Sequence, residues 1–88
     1  MNSSKSWDLQ INPSVFKILK KIPRPDAENL LIAIRLLPGN PYFGDIQKMT
    51  GKAVWRRRIG SYRIFYSVNI DLHSLRIFEI TRRTSKTY

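Results

Sequence analysis

The sequence predicts an α+β fold of order β-α-α-β-β-β, with two N-terminal helices packed on one face of a small, mainly antiparallel sheet. Three observations predict it. Apolar residues recur at helical spacing in two stretches, 13–22 and 25–37, each bounded by proline. Strand-like segments follow between residues 54 and 80, separated by turn residues. A short alternating segment precedes everything else.

Taken in order, Trp7, Leu9 and Ile11 alternate with Asp8 and Gln10, the period of a half-buried strand. Asn12-Pro13 then reads as a helix start, with Asn12 as N-cap and Pro13 at the first helical position. Val15, Ile18, Leu19 and Ile22 form one stripe of that helix, and Pro23 ends it. Pro25-Asp26 opens the second helix, whose stripe is Ala27, Leu30, Leu31, Ile34 and Leu37, and Pro38-Gly39 stops it. Residues 38–52, with two prolines and three glycines, are expected to form a loop. Val54 to Ile59, Tyr62 to Val68 and Leu75 to Ile80 are the remaining strands, joined at Gly60-Ser61 and by a turn over residues 69–74. At 88 residues, one domain spanning 1–88 is expected.

Composition narrows the function. The chain has no cysteine, which removes disulfide and thiolate chemistry and suits a reducing cytoplasm. No apolar run approaches the roughly 18 residues of a membrane span, and residues 1–7 lack the apolar stretch of a signal peptide. The net charge is +10, and it is uneven: residues 1–45 carry +2 and residues 46–88 carry +8. A basic half on so small a body points to a polyanion or an acidic protein partner. The six acids, Asp8, Asp26, Glu28, Asp45, Asp71 and Glu79, are scattered, which argues against a two-metal nuclease. The single histidine, His73, falls in a turn, so no histidine pair can share acid–base work. No phosphate-binding glycine loop or dinucleotide motif occurs, and neither metal nor cofactor is expected.

Strand alternation places the charge. Tyr62, Ile64, Tyr66 and Val68 make one apolar face that should meet the helices. Arg63 and Phe65 then share the open face with Arg56 and Arg58, a basic surface carrying an aromatic ring for base stacking. Arg57 falls on the core-side parity, which calls for a side chain that snorkels past the sheet edge or for a bulge that shifts the register.

Two segments carry a family resemblance. Gly44-Asp45-Ile46-Gln47-Lys48-Met49-Thr50-Gly51 is similar to a G-D-x-x-K-L-x-G segment, and the run from Trp55 to Tyr66 is similar to W-R-x-R-x-G-x-Y-R-x-x-Y. Both are signatures of the RelE/ParE toxin superfamily, which the chain resembles over nearly its whole length. The resemblance implies the toxin of a type II toxin–antitoxin system. In its RelE-like form this is a metal-independent endoribonuclease that cleaves mRNA in the ribosomal A site. In its ParE-like form it is an inhibitor of DNA gyrase without nuclease activity. A basic nucleic-acid-binding module without catalysis is the alternative outside the family. Carried over residue by residue, Arg56 and Arg58 match two basic strand positions, Arg63 matches the arginine of a tyrosine–arginine pair, and Tyr88 matches a terminal tyrosine serving as general base. A further arginine is Arg82 by counting back from Tyr88, or Arg83 by aligning the strand end. Lys48, Lys52 and Phe65 are expected to hold RNA. The implied partners are a cognate antitoxin, the ribosome and mRNA, in the cytoplasm and without a membrane.

Overall fold

The computed structural model describes residues 6–49, 51 and 53–82. A strand, β1 (Asp8–Ile11), leads into two helices, α1 (Pro13–Lys20) and α2 (Arg24–Leu36). Four strands follow: β2 (Ile46–Lys48), β3 (Val54–Ile59), β4 (Tyr62–Asn69) and β5 (Ser74–Arg82). The sheet order is β1-β5-β4-β3-β2. β1 runs parallel to β5, and every other pair is antiparallel.

Local chemistry accounts for each boundary. Pro13 stands in the first turn of α1, where a missing N–H costs nothing. Asn12 precedes it in extended conformation, yet its side chain makes no capping bond; its carbonyl accepts the Val15 N–H instead. α1 ends at Lys20, before the position that Pro23 bars from helical geometry, and its last turn tightens through Ile22 N–H to Leu19 O. α2 starts at Arg24 and runs on through a 3₁₀ turn at Leu37–Gly39.

Val15 and Leu19 of α1 and Leu30, Ala33 and Ile34 of α2 bury against Tyr62, Ile64, Tyr66 and Val68 of β4 and Leu75, Ile77 and Ile80 of β5. Both helices therefore lie on one face of the sheet, the face on which β4 turns its alternate residues inward. No described helix covers the other face.

Two expectations need correction. Residues 38–52 are not all loop: the 3₁₀ turn occupies one end, and β2 adds a fifth strand at the sheet edge. The bulge suspected near Arg57 is not in β3, whose register against β4 runs unbroken from Val54↔Ser67 to Ile59↔Tyr62. The irregularity lies between β4 and β5, where Tyr66 pairs with Ile77 but Phe65 pairs with Glu79. Phe78 is the extra residue.

Candidate nucleic-acid interface

Register decides which side chains share the open face. Arg56 pairs with Phe65, and Arg58 pairs with Arg63. Two arginines directly opposite across an antiparallel pair repel, so the sheet carries an unfavourable contact that a bound anion would relieve. The three guanidinium side chains, with Asp45, Ile46 and Gln47, line a cleft of about 90 Å³.

The edge strand and the residue before it bring counter-groups. Arg58 Nε donates to Asp45 Oδ2 at 3.0 Å, and Arg56 Nη2 donates to Gln47 Oε1. Asp45 also accepts the Arg58 backbone N–H through its carbonyl, so one residue holds both ends of Arg58. Arg63 has no side-chain hydrogen bond or ion pair among the described residues. Three cations thus face one carboxylate, an excess of positive charge at one point.

The loop that carries Asp45 is anchored from the other face of the sheet. Arg57 pairs with Ile64 and turns toward the helix-covered side. Its Nη1 donates to the Phe43 carbonyl at 2.6 Å, and its guanidinium lies 5.9 Å from the Phe43 ring centre. Gly44 has φ +98°, a backbone conformation that favours glycine, and a Cβ there would stand 2.8 Å from the Arg57 Cζ and would have to displace the guanidinium. Buried Tyr66 donates its hydroxyl to the Pro41 carbonyl. Burial pushes its phenol up to about 12, while the Arg57 guanidinium works the other way. Tyr42 packs edge-on between Trp7 and Trp55, with ring centres 6.1 and 5.2 Å away. Sequence reasoning missed these anchors; the conflict between Arg57's charge and its core-side parity was the signal.

The remaining candidates are dispersed. Phe65 is half-buried on the open face, one strand over from Arg56. Lys48 is exposed on β2 opposite Trp55, on the helix-covered side by alternation. Arg82 pairs with Tyr62, also on that side, and borders an apolar groove lined by Ile18, Ile22, Pro23 and Ile80. Neither joins the arginine cleft. Lys52, Arg83 and Tyr88 lie outside the described residues. His73 sits in the β4–β5 turn with φ 53° and stacks on Trp7 at 4.1 Å, remote in register from the cleft. Among the described residues, no group of three His, Cys, Asp or Glu side chains could hold a metal ion. No helix among them is long and apolar enough to cross a membrane.

No family model matches the chain. No curated protein matches it in sequence. Solved structures do match. A chain of the archaeal RelE–RelB complex from Pyrococcus horikoshii OT3 superposes with a TM-score of 0.80 at 25% identity, covering 92% of this chain and 99% of that one. The isolated E. coli RelE toxin gives a TM-score of 0.77 at 12% identity over 92% of this chain and 88% of that one. A chain of the RelBE2 toxin–antitoxin complex of Mycobacterium tuberculosis gives 0.74 at 16% identity, with 89% and 99% covered.

Proposed function

Because the chain belongs to the RelE-like toxin superfamily, we propose that it is the toxin of a type II toxin–antitoxin pair and acts as a ribosome-dependent, metal-independent endoribonuclease on mRNA. The observation that carries this reading is the meeting of Arg56, Arg58 and Arg63 at one cleft on the open face. A phosphoryl-transfer site needs cations at a single phosphorus, because that is where charge develops. A surface that only binds a protein does not.

In this reading the ribose 2′-oxygen attacks the adjacent phosphorus. Its bond to phosphorus forms as the bond to the leaving 5′-oxygen breaks, leaving a 2′,3′-cyclic phosphate and a 5′-hydroxyl. The three arginines bind the non-bridging oxygens and stabilise the pentacoordinate state by charge and paired N–H donors. Tyr88, acting as phenolate, takes the 2′-hydroxyl proton, solvent water protonates the leaving 5′-oxygen, and Arg83 adds to the phosphate contacts; Lys48 and Lys52 attract the RNA backbone. Asp45 must release Arg58 as phosphate arrives.

The partner in this reading is a small antitoxin with an acidic, amphipathic helix. The groove of Ile18, Ile22, Pro23 and Ile80, flanked by Lys21 and Arg82, suits such a helix, and the archaeal and mycobacterial relatives were solved as toxin–antitoxin complexes.

Primer extension on mRNA in programmed ribosomes, run beside a gyrase supercoiling assay, tests the reading. Wild type should cleave, and Arg63→Ala should lower the rate about 10²–10³-fold with the fold intact, since the side chain lies off the core face. Inhibited supercoiling without cleavage would transfer the chain to the gyrase-directed branch.

A further inference from the structure

We propose that Phe78, with Phe65, forms a stacking platform for an unpaired RNA base beside the arginine cleft; this rests on the endoribonuclease reading and assigns the same site a base-binding subsite. The β4–β5 bulge makes the platform. Because Tyr66 pairs with Ile77 and Phe65 with Glu79, Phe78 and Glu79 together face Phe65 across the strand gap. The two phenyl rings stand 6.4 Å apart, tilted by 43°, and both are half-buried on a face that no described helix covers. Phe65 in turn is the cross-strand partner of Arg56. A pair of rings therefore adjoins the phosphate-binding cations within a residue or two of strand spacing.

Two properties of this surface select the occupant. The cations select a polyanion, and the rings select a polyanion with exposed π faces. Single-stranded RNA has both, whereas duplex bases are already stacked on their neighbours. An acidic helix would satisfy the charge but gains nothing particular from aromatic rings. Glu79, exposed beside the rings, disfavours phosphate there and leaves the cleft side as the backbone's path. The nucleotide is thereby oriented, with its phosphate on Arg56, Arg58 and Arg63 and its base on Phe65 and Phe78.

The test compares two non-cleavable hexanucleotides of equal charge, a 2′-O-methyl oligoadenylate and its fully abasic counterpart, by fluorescence anisotropy at low salt. Wild type should bind the base-bearing strand more tightly, by roughly 5- to 150-fold. Phe78→Leu, which keeps the apolar volume, should lose most of that preference while holding its affinity for the abasic strand. Phe78→Trp should retain the preference, and thermal melting of both variants checks the fold. Equal wild-type binding of the two strands would overturn the platform, as would an unchanged preference in Phe78→Leu. Arg63→Ala should weaken both strands alike; if it changes neither, the phosphate site fails, and the base preference still reads out the platform separately. A wild type that binds neither strand would overturn the platform, whereas the endoribonuclease reading is decided by primer extension on programmed ribosomes.

Discussion

Tyr66 shows how a single hydroxyl ties the site's framework to pH. It is fully buried, and its only described polar partner is the Pro41 carbonyl in the loop that precedes Asp45. Burial disfavours the phenolate, so the folded state keeps its proton up to about 12, whereas an unfolded tyrosine loses it near 10.0. Between those values the unfolded state binds fewer protons, and stability falls as pH rises, by roughly 1.4 kcal/mol per unit. Below pH 10 this contribution is fully present. Chemical denaturation of wild type from pH 9 to 12 should show this decline, and Tyr66→Phe should flatten part of it; equal slopes would count against the assignment. Arg57 is the opposite case, a permanent charge on the core side. The Phe43 carbonyl and ring satisfy its tip, while Nε is buried without a hydrogen-bond partner among the described residues. Such a residue is stable only with the loop closed over it, which couples the loop's position to the sheet.

At the scale of elements, β2 holds counter-groups over the cleft. Its Gln47, with Asp45 just before it, satisfies Arg56 and Arg58. The Asp45–Arg58 pair is solvent-exposed, with side-chain exposures of 62% and 47%, so its net worth is about 0–1 kcal/mol. Asp45→Asn should therefore barely move the unfolding midpoint. It should tighten binding of a single-stranded RNA by up to about 5-fold, the same energy now available to phosphate. Weaker binding would show instead that the carboxylate positions Arg58.

The long elements were legible in the sequence because their patterns are strong. The stripes of α1 and α2 and the alternation of Tyr62, Ile64, Tyr66 and Val68 each answer to one face, and Arg56, Arg58 and Arg63 follow from it. β2 was not legible: Ile46–Lys48 is too short to show a period, and its strand conformation comes from pairing with β3. The bulge left a faint trace, since the buried residues of β5 are Leu75, Ile77 and then Ile80, a step of two followed by a step of three. Charge alone marks Lys48 for RNA, and the resemblance alone offers Arg82 as an alternative to Arg83; neither signal carries face information, and pairing places both side chains away from the cleft.

For the molecule as a whole, charge sets the response to salt. Of the net +10, three arginines lie at the cleft. If each neutralises one phosphate of a single strand, log K should fall against log salt with a slope of about −2, and Arg63→Ala should make it shallower by about 0.7. Titration between 50 and 200 mM salt measures it. A slope far steeper than this would mean that RNA rides on the general field of the basic half rather than on the cleft.

The parallel pairing of β1 with β5 has a consequence for how the molecule comes into being. β5 is the last described strand to be synthesised, yet it lies between β1 and β4. Until it emerges, β1 has nothing to pair with, and Leu75, Ile77 and Ile80 are missing from the core. The arginines of β3 and β4 exist as nascent chain well before the strand that locks their hairpin in place. Assembly that waits on contacts so far apart in sequence is completed late, once translation has passed residue 82. A protein whose proposed target is a translating ribosome thus gains its shape only after β5, the strand that joins its two ends, has been made.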